Sequence, residues 1–215
     1  MSVAFSSTVE VVDFLAKKME AEREALAYLD SLTGDGDMGV TIALIFRAMK
    51  KTAPRTEGFS GSEIFAELGE QVGETAPSTF GTLVATMLKS IGGIVGDEQE
   101  MDAAMFAKAL AAAMVGVMEK GGAKPGDKTL LDALCPASAS AAVVAAAGGS
   151  LQEAVKIAAD SAHEGAESTV NMKANTGRAS YMGERTIGKK DSGAEAIARM
   201  LDAFSAYLEA KAENC

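Results

Sequence analysis

A short acidic segment between two predicted helices offers the clearest candidate for chemistry. Asp30, Asp35 and Asp37 fall within eight residues, and the stretch 34–39 contains three glycines that allow the backbone to bend. Carboxylates held close together repel one another, and Mg²⁺ relieves this by taking one or two carboxylates with substrate phosphates and water. The segment therefore predicts a magnesium site for a phosphorylated ligand. A solvated acidic turn, with Asp37 capping the next helix, is the alternative.

Other motif interpretations of the glycines and carboxylates fail. The G-x-G-x-x-G pattern that begins at Gly34 should follow a strand in a βαβ unit, whereas helical spacing precedes it here. An EF-hand loop counted from Asp35 would need Glu at its twelfth position, which is Phe46. Residues 126–129 share only the tail of a phosphate-binding P-loop. These comparisons exclude a dinucleotide fold, an EF-hand and a P-loop.

Two further segments could hold phosphate or nucleotide. Residues 73–82 are rich in small hydroxyl side chains and open a helix, and free N–H groups at a helix N-terminus bind phosphate readily. Simple capping by Ser78 or Thr79 is the alternative there. Residues 121–132 form a loop followed by a helix start, which by itself indicates only an ordered turn.

A fourth segment, residues 175–194, is basic in a chain whose net charge is −10. It contains Arg178, Arg185, Lys189 and Lys190. A local group of cations is what a polyphosphate site requires. The alternative is a long surface loop with ordinary ion pairs.

Helical periodicity of apolar residues extends through nearly the whole chain and predicts eight helices. The first is about 20 residues long, between Val11 and Leu29. Capping-box pairs three residues apart open three of the others. Four of the remaining seven predicted helices span Val40 to Met49, Thr79 to Ile91, 102–120 and 129–147. The other three begin at Ser60, at Ser150, and at Ser192 with Glu195. No convincing strand, repeat or linker appears, so we expect an all-α single domain over residues 1–215, a bundle or closed ring of antiparallel helices.

Composition limits the classes of partner and the cellular compartment that we expect. Hydrophobic residues make up 48% of the chain, aromatic residues only 5%, and tryptophan is absent, which suits helices better than sheets. An acidic chain is poorly suited to nucleic acid or an anionic membrane. Cys135 and Cys215 are isolated and predict neither a disulfide framework nor a zinc site. Without a signal peptide or membrane span, a cytoplasmic location is expected.

Taken in order, GDGDMG, KPGDKTLLDAL and GRASYMGERTIGKKDSGA resemble the L subunit of dihydroxyacetone kinase, the nucleotide-binding half of that enzyme. The similarity covers the whole chain and is densest in the third motif. The resemblance implies an antiparallel eight-helix barrel with a nucleotide closing one end. It also implies that two Mg²⁺ ions on Asp30, Asp35 and Asp37 hold the phosphates of ATP or ADP.

The resemblance further implies a set of nucleotide-binding residues, with Arg178 as a charge stabiliser. Those expected to line the phosphates are Met38, Gly39, Val40, Thr41, Thr75 and Ala76. Those expected to border the adenosine or complete the site are Gly121, Leu130, Arg178, Asp191, Ser192 and Gly193.

The chain departs from the family pattern at four places. Met38 stands where His is frequent, and Thr41 stands where Asn is frequent. The second loop reads GETAPSTFG in place of GGxSG, and the final turn reads DSG in place of DPG. These changes leave the carboxylates intact and concern the phosphate loops and the choice of sugar.

The resemblance predicts a subunit that holds Mg-ATP or Mg-ADP and takes part in phosphate transfer to a small ketose such as dihydroxyacetone. A partner K subunit would bind the sugar. Either ATP exchanges at each turnover, or ADP stays bound and is rephosphorylated by a phosphocarrier protein of the phosphotransferase system. A non-catalytic regulatory module that binds Mg-nucleotide is the alternative, and a plain helical scaffold is the third.

Overall fold

The first predicted helix is two helices with a break at Glu22. The computed structural model describes residues 2–213, and α1 and α2 meet at this residue. The backbone N–H of Glu22 donates to the carbonyl of Met19 at 3.2 Å, a tight turn in place of regular helical pairing. The carboxylate of Glu22 pairs with Arg199 of the last helix. One turn residue therefore joins the two helices, and its side chain connects this break to the last helix.

Nine α-helices account for most of residues 2–213, with two-residue strands β1 and β2 that pair antiparallel. A 3₁₀ helix over Arg178–Thr186 lies in the connection between the last two helices. The helices are α1 Thr8–Ala21, α2 Arg23–Ser31, α3 Met38–Thr52, α4 Gly61–Thr75, α5 Thr79–Val95, α6 Ala103–Gly121, α7 Leu131–Ala146, α8 Leu151–Ser168 and α9 Ser192–Glu213, and the strands are β1 Val3–Ala4 and β2 Glu100–Met101.

Eight helices form a closed ring. Each helix from α3 to α9 packs against the next, and α1 closes the ring by packing against both α3 and α9. Helix α2 continues α1 and contacts α3 and α9. The expected all-α eight-helix barrel is confirmed, because α1 and α2 together occupy one place in the ring.

Helix starts follow the predicted capping chemistry at two of three positions. Ser60 and Ser150 each accept a hydrogen bond from the backbone of a glutamate three residues later, and each glutamate bonds back. The predicted box at Ser192 and Glu195 is wrong. There, the residue before α9 is the cap, because the Asp191 carboxylate accepts the backbone N–H of Ala194 at 2.8 Å.

Glu195 turns into the protein rather than back to the helix start. Its side chain is 3% exposed and forms ion pairs with Lys190 at 3.2 Å and Arg199 at 2.8 Å. A buried carboxylate is tolerated when cations and hydrogen bonds satisfy it. Two cations on the same side of α9 therefore draw Glu195 away from the helix N-terminus.

Alanine and glycine let α7 and α8 approach closely. At Gly165 of α8, an ideal Cβ would overlap the carbonyl oxygen of Asp132 and lie 2.9 Å from Cγ of Pro136. Both helices also carry small, fully buried side chains. Among them are Ala133, Ala137, Ala141, Ala154, Ala158 and Ala162. This contact fixes the start of α7, which carries Asp132.

The interior of the ring is apolar. Fully buried side chains include Met19, Ile45 and Leu208, and the lining of an internal cavity of about 280 Å³ contains no ionisable side chain. Chemistry that needs charge must therefore take place elsewhere. Within residues 2–213, no helix combines the length and the apolar character needed to cross a bilayer.

Candidate functional site

A cavity of about 290 Å³, lined by both charged and apolar side chains, lies where several helix ends meet. The C-termini of α2 and α6 and the N-termini of α3, α5, α7 and α9 contribute residues to its walls. Ten of the predicted site residues line it. They are Asp30, Asp35, Asp37, Met38, Gly121, Leu130, Arg178, Asp191, Ser192 and Gly193. Four segments that are distant in sequence therefore meet at one end of the barrel.

The three predicted metal ligands form a compact group. Single carboxylate oxygens of Asp30, Asp35 and Asp37 all lie within 4.8 Å of one another. Asp35 and Asp37 are exposed, and Asp30 is half-buried and accepts the hydroxyl of Ser192 at 2.8 Å. Although Asp37 precedes α3, its side chain forms no capping hydrogen bond. These oxygens suit a hard cation such as Mg²⁺, and the capping alternative for Asp37 is not what the structure shows.

Two glycines bring these carboxylates together. The N–H of Gly34 donates to the carbonyl of Asp30 at 2.6 Å and ends α2. A Cβ at Gly34 would lie 3.1 Å from a carboxylate oxygen of Asp30, so a larger residue would crowd that ligand. Gly36 has φ of +77°, which favours glycine. The glycines of this segment therefore have the role that their spacing predicted.

Only one of the four basic side chains of the fourth segment lines the cavity. Arg178 does so and pairs with Asp35. Arg185 and Lys189 donate to backbone carbonyls, and Lys190 pairs with two glutamates. The cationic group predicted from sequence is thus mainly structural, because three of its members already have partners in the fold.

The hydroxyl-rich segment presents a helix N-terminus to the cavity. Ser78 and Thr79 line it, and the hydroxyl of Ser78 accepts the N–H of Gly81 at 3.0 Å. Thr41 donates its own hydroxyl to Ser78 at 3.2 Å. Thr41 therefore supports the site from behind rather than lining it.

Four other predicted residues also lie outside the cavity lining. Val40 is 56% exposed on the outer side of α3, beside Gly39. A Cβ at Gly39 would overlap the carbonyl of Arg23, so this glycine allows α2 and α3 to pack closely. Thr75 ends α4 and Ala76 is 1% exposed beneath the cavity.

Comparison with known proteins places this geometry in a family. Residues 32–206 match the model of the DAK2 domain. The chain belongs to the DAK2 domain family. The family predicted from the sequence motifs, the L subunit of dihydroxyacetone kinase, is thereby confirmed.

The DAK2 chain is similar to curated kinases and to a solved structure. It is 35% identical over 185 residues to an L-erythrulose kinase of Pectobacterium atrosepticum, covering 85% of this chain and 31% of the relative. It is 29% identical over 192 residues to the PEP-dependent dihydroxyacetone kinase 1, ADP-binding subunit DhaL, of Listeria innocua, covering 87% and 89%. A dihydroxyacetone kinase from C. freundii, in complex with AMP-PNP and Mg²⁺, superposes with a TM-score of 0.73 at 24% identity, covering 96% of this chain and 35% of that one.

The lengths of these relatives differ. The chain spans about a third of the length of the first erythrulose kinases and nearly all of the Listeria innocua subunit. The C. freundii likeness establishes the fold of the DAK2 domain.

Several residues that line the DAK2 cavity are not among the site residues predicted from the motifs. Phe80 and Leu83 lie one turn apart on α5, as Val117 and Gly121 do on α6, so helical periodicity could have found this apolar wall. Others become recognisable only in three dimensions. The lining residues outside the predicted set are Thr33, Gly34, Ser78, Thr79, Phe80, Leu83, Val117, Ala123, Lys128, Thr129, Leu131, Thr176, Gly177 and Ala179.

Asp132 shapes the third segment of the DAK2 domain. Its buried carboxylate accepts the N–H of Gly126 at 2.6 Å and that of Thr129 at 2.7 Å. These bonds satisfy two backbone donors that a loop would otherwise leave open. The loop before α7 is therefore rigidly held beside the cavity.

Asp191 has an unusual pKa. Burial raises the pKa of this carboxyl from 3.8 to about 6, Asp132 and Asp30 add to the effect, and the hydrogen bond from Ala194 and the charge of Lys128 oppose it. The folded protein therefore holds a proton that the unfolded chain releases between about pH 4 and pH 6. Stability falls as the pH rises through that window, because the folded state must give up this proton.

Asp191→Asn is expected to remove this pH-dependent contribution to stability. The amide oxygen can still accept the N–H of Ala194, but it carries no charge. The free energy of unfolding of the variant, minus that of the unchanged protein, should increase by about 1.4 kcal/mol from about pH 5 to about pH 7.5. This amount corresponds to one pKa unit. Urea unfolding of metal-free and nucleotide-free protein at both pH values measures this. An equal difference at both values would contradict the raised pKa.

Proposed function

We propose that this chain is the nucleotide-binding, phosphoryl-transfer subunit of a kinase for small ketoses. In this proposal it holds Mg-ATP or Mg-ADP, and a partner K subunit binds the sugar. The observation that carries the proposal is a group of three carboxylates, from Asp30, Asp35 and Asp37, beside Arg178 in the wall of a cavity. The family and the fold agree with it.

The names of similar proteins support the substrate class. The proteins that match include kinases for L-erythrulose and D-erythrulose and an ADP-binding subunit of dihydroxyacetone kinase. The solved neighbour was crystallised with AMP-PNP and Mg²⁺. We infer a ketose of three or four carbons as acceptor for this chain.

The cavity walls suggest how a nucleotide would lie. The apolar side chains of Phe80, Leu83 and Val117 suit a purine ring, with Gly121 and Leu130 beside them. The N-terminus of α5 suits a phosphate, because Ser78, Thr79 and Phe80 line the cavity there and the first N–H groups of a helix lack acceptors within the helix. In this arrangement, the base lies along α5 and α6, and the phosphates lie towards the start of α5.

Charge neutralisation is the main task of the site. Phosphoryl transfer depends on positioning and electrostatic stabilisation more than on covalent chemistry by the protein. Bound Mg²⁺, which we propose as two ions on Asp30, Asp35 and Asp37, would neutralise phosphate charge. Arg178 would leave Asp35 and turn its guanidinium to the nucleotide phosphates, which planar donors suit well.

The proposal also includes a partner K subunit, a single domain and a cytoplasmic location. Asp35 and Asp37 are exposed, so a bound phosphate would face solvent until a second protein covered it. Residues 1–215 would act as one domain, which the closure of the ring by α1 and α9 supports. We place the activity in the cytoplasm, with either exchanging ATP or a retained ADP that a phosphotransferase-system phosphocarrier recharges.

Calorimetric titration of ADP into metal-free protein, with and without Mg²⁺, tests the proposal. Binding that needs Mg²⁺ supports it, and the absence of binding in both conditions would refute it. Adding a K subunit and a ketose should then give sugar phosphate. Nucleotide binding without turnover would instead identify a non-catalytic regulatory module. ADP that survives long dialysis would indicate the retained-coenzyme version.

Arg178→Gln should change two affinities in opposite directions. Arg178 occupies Asp35 in the nucleotide-free protein, so its removal exposes a more negative metal site. We expect Mg²⁺ alone to bind about 3-fold more tightly and Mg-ADP about 10-fold more weakly, because the second loses a charge-assisted contact. Titrations of each ligand measure this, with Arg185→Gln as the control outside the cavity. A loss of both affinities would contradict the exchange of partners.

A further inference from the structure

Lys128 is a buried cation held entirely by backbone oxygens. It lies in the loop before α7, and its side chain is 2% exposed. Its ammonium donates to the carbonyls of Met172 at 3.1 Å, Thr186 at 2.6 Å and Lys189 at 2.5 Å. An ammonium has three protons, so these three bonds use its whole donor capacity. Lys128 therefore has no donor left for a phosphate.

The backbone at Lys128 is also unusual. Among residues 2–213 it is the one residue other than glycine with a positive φ, at +61°. Such a conformation persists only where surrounding contacts hold it in place, and it is frequent at functional sites. Burial lowers the pKa of Lys128, and the nearby charge of Asp191 opposes that effect. The protein thus keeps a strained and desolvated lysine beside the cavity.

All three acceptors belong to one stretch of chain, residues 172–189, which we name the arginine segment because it carries Arg178. Few elements of regular structure hold this segment besides the 3₁₀ helix Arg178–Thr186. Asn175 adds two bonds to the neighbour of Lys128, from its backbone and its amide to Asp127, at 3.1 and 3.2 Å. The loop before α7 is therefore the main anchor of the arginine segment.

A second lysine extends this chain of contacts to the acidic residues. Lys189, whose carbonyl accepts from Lys128, donates its own ammonium to the carbonyl of Leu32 at 2.8 Å. Leu32 lies between Asp30 and the glycines that arrange the carboxylates. Two lysines therefore join three segments of the site through backbone oxygens.

We propose that Lys128 is a positioning residue that fastens the arginine segment across the cavity and so places Arg178 at the phosphates. This inference rests on the proposed function for the identity of the ligand. It assigns Lys128 a role different from the phosphate-binding lysine that the GDKT sequence superficially suggests. The ligand that it serves is the polyphosphate of a Mg-nucleotide, reached through Arg178.

The first test is the state of the arginine segment, and it needs no nucleotide. Lys128→Met removes all three donors and keeps an apolar stem of similar length. We expect trypsin to cleave after Arg185 at least about 10-fold faster than in the unchanged protein, while far-ultraviolet circular dichroism still reports the helices. Lys124→Met, an exposed change in the same loop, is the matched control and should leave the cleavage rate unchanged. Unchanged cleavage in the Lys128 variant would overturn the proposal.

The second test asks whether Lys128 acts through Arg178. We expect Lys128→Met to weaken Mg-ADP binding by about 10-fold, and the double variant with Arg178→Gln to bind no more weakly than Arg178→Gln alone. A direct phosphate ligand would instead make the two losses multiply, and that result would overturn the proposal. A general loss of stability would also lower affinity in the Arg178→Gln background. Only a positioning role predicts that Lys128→Met no longer weakens Mg-ADP binding once Arg178 is replaced by Gln.

Lys189→Met keeps the proposal testable if Lys128→Met does not fold. Lys189 is half-buried, and the change removes only its bond to Leu32. We expect trypsin cleavage to accelerate less than in Lys128→Met. We also expect the double variant with Arg178→Gln to bind Mg-ADP no more weakly than Arg178→Gln alone. Unaltered cleavage would overturn the proposal. If the unchanged protein binds no ADP, the proposed function fails, whereas the cleavage comparison still decides whether Lys128 fastens the segment.

Discussion

Replacement of Asp37 by Asn is expected to weaken Mg²⁺-dependent ADP binding by about 100-fold, or about 2.7 kcal/mol. Asp37 is exposed, forms no capping bond, and has an oxygen within 4.8 Å of those of Asp30 and Asp35. An amide keeps the shape of the side chain but removes one of three negative charges. Because Mg²⁺ prefers anionic oxygen ligands, the loss should fall on metal-dependent binding. Calorimetry with and without Mg²⁺ measures it.

The same change should leave the metal-free protein at least as stable as before. Removing one of three adjacent carboxylates relieves repulsion, and the helix loses no side-chain cap. Asp160→Asn removes an equally negative, exposed side chain that pairs with Lys156 on α8. Within residues 2–213, none of the residues that line the cavity belongs to α8, so this change should not alter ADP affinity. An Asp37 variant that binds Mg-ADP normally would remove the basis for the metal site. One that loses stability together with binding would indicate a structural role.

Gly165→Ala is expected to destabilise the protein by about 3 kcal/mol, near the upper end for added volume in a close-packed contact. The new methyl would overlap the carbonyl of Asp132 and lie 3.0 Å from Cα of Ala133. Both are backbone atoms, so relief requires α7 and α8 to separate. The shift would also move the Asp132 carboxylate, which holds Gly126 and Thr129 beside the cavity. Urea unfolding should show the loss, and ADP titration should show weaker binding.

A matched change elsewhere separates crowding from the general effect of alanine. Gly93 lies in α5, is exposed, and would place a Cβ in open space. Gly93→Ala should stabilise the protein by roughly 0.5–1 kcal/mol, because alanine loses less backbone freedom in a helix. Equal effects at the two positions would contradict the close contact between α7 and α8.

The sequence by itself determined most of the helices and the group of three carboxylates. Period-3.6 apolar spacing located the helices, and capping pairs at Ser60 and Ser150 marked two starts correctly. Asp30, Asp35 and Asp37 could be recognised together because they are near in sequence and glycines let them converge. Local rules suffice where the interacting groups are a few residues apart.

Tertiary structure alone decided which distant groups meet. Glu22, at the break between α1 and α2, pairs with Arg199 of α9, and Glu195 pairs with Lys190 and Arg199 instead of forming a capping box. Residues near a motif can still lie outside the cavity, as Val40 does on the outer face of α3. Lys128 is the clearest case. Its three acceptors are 44 to 61 residues away, and no local pattern encodes a bond between one ammonium and three carbonyls brought together only by folding.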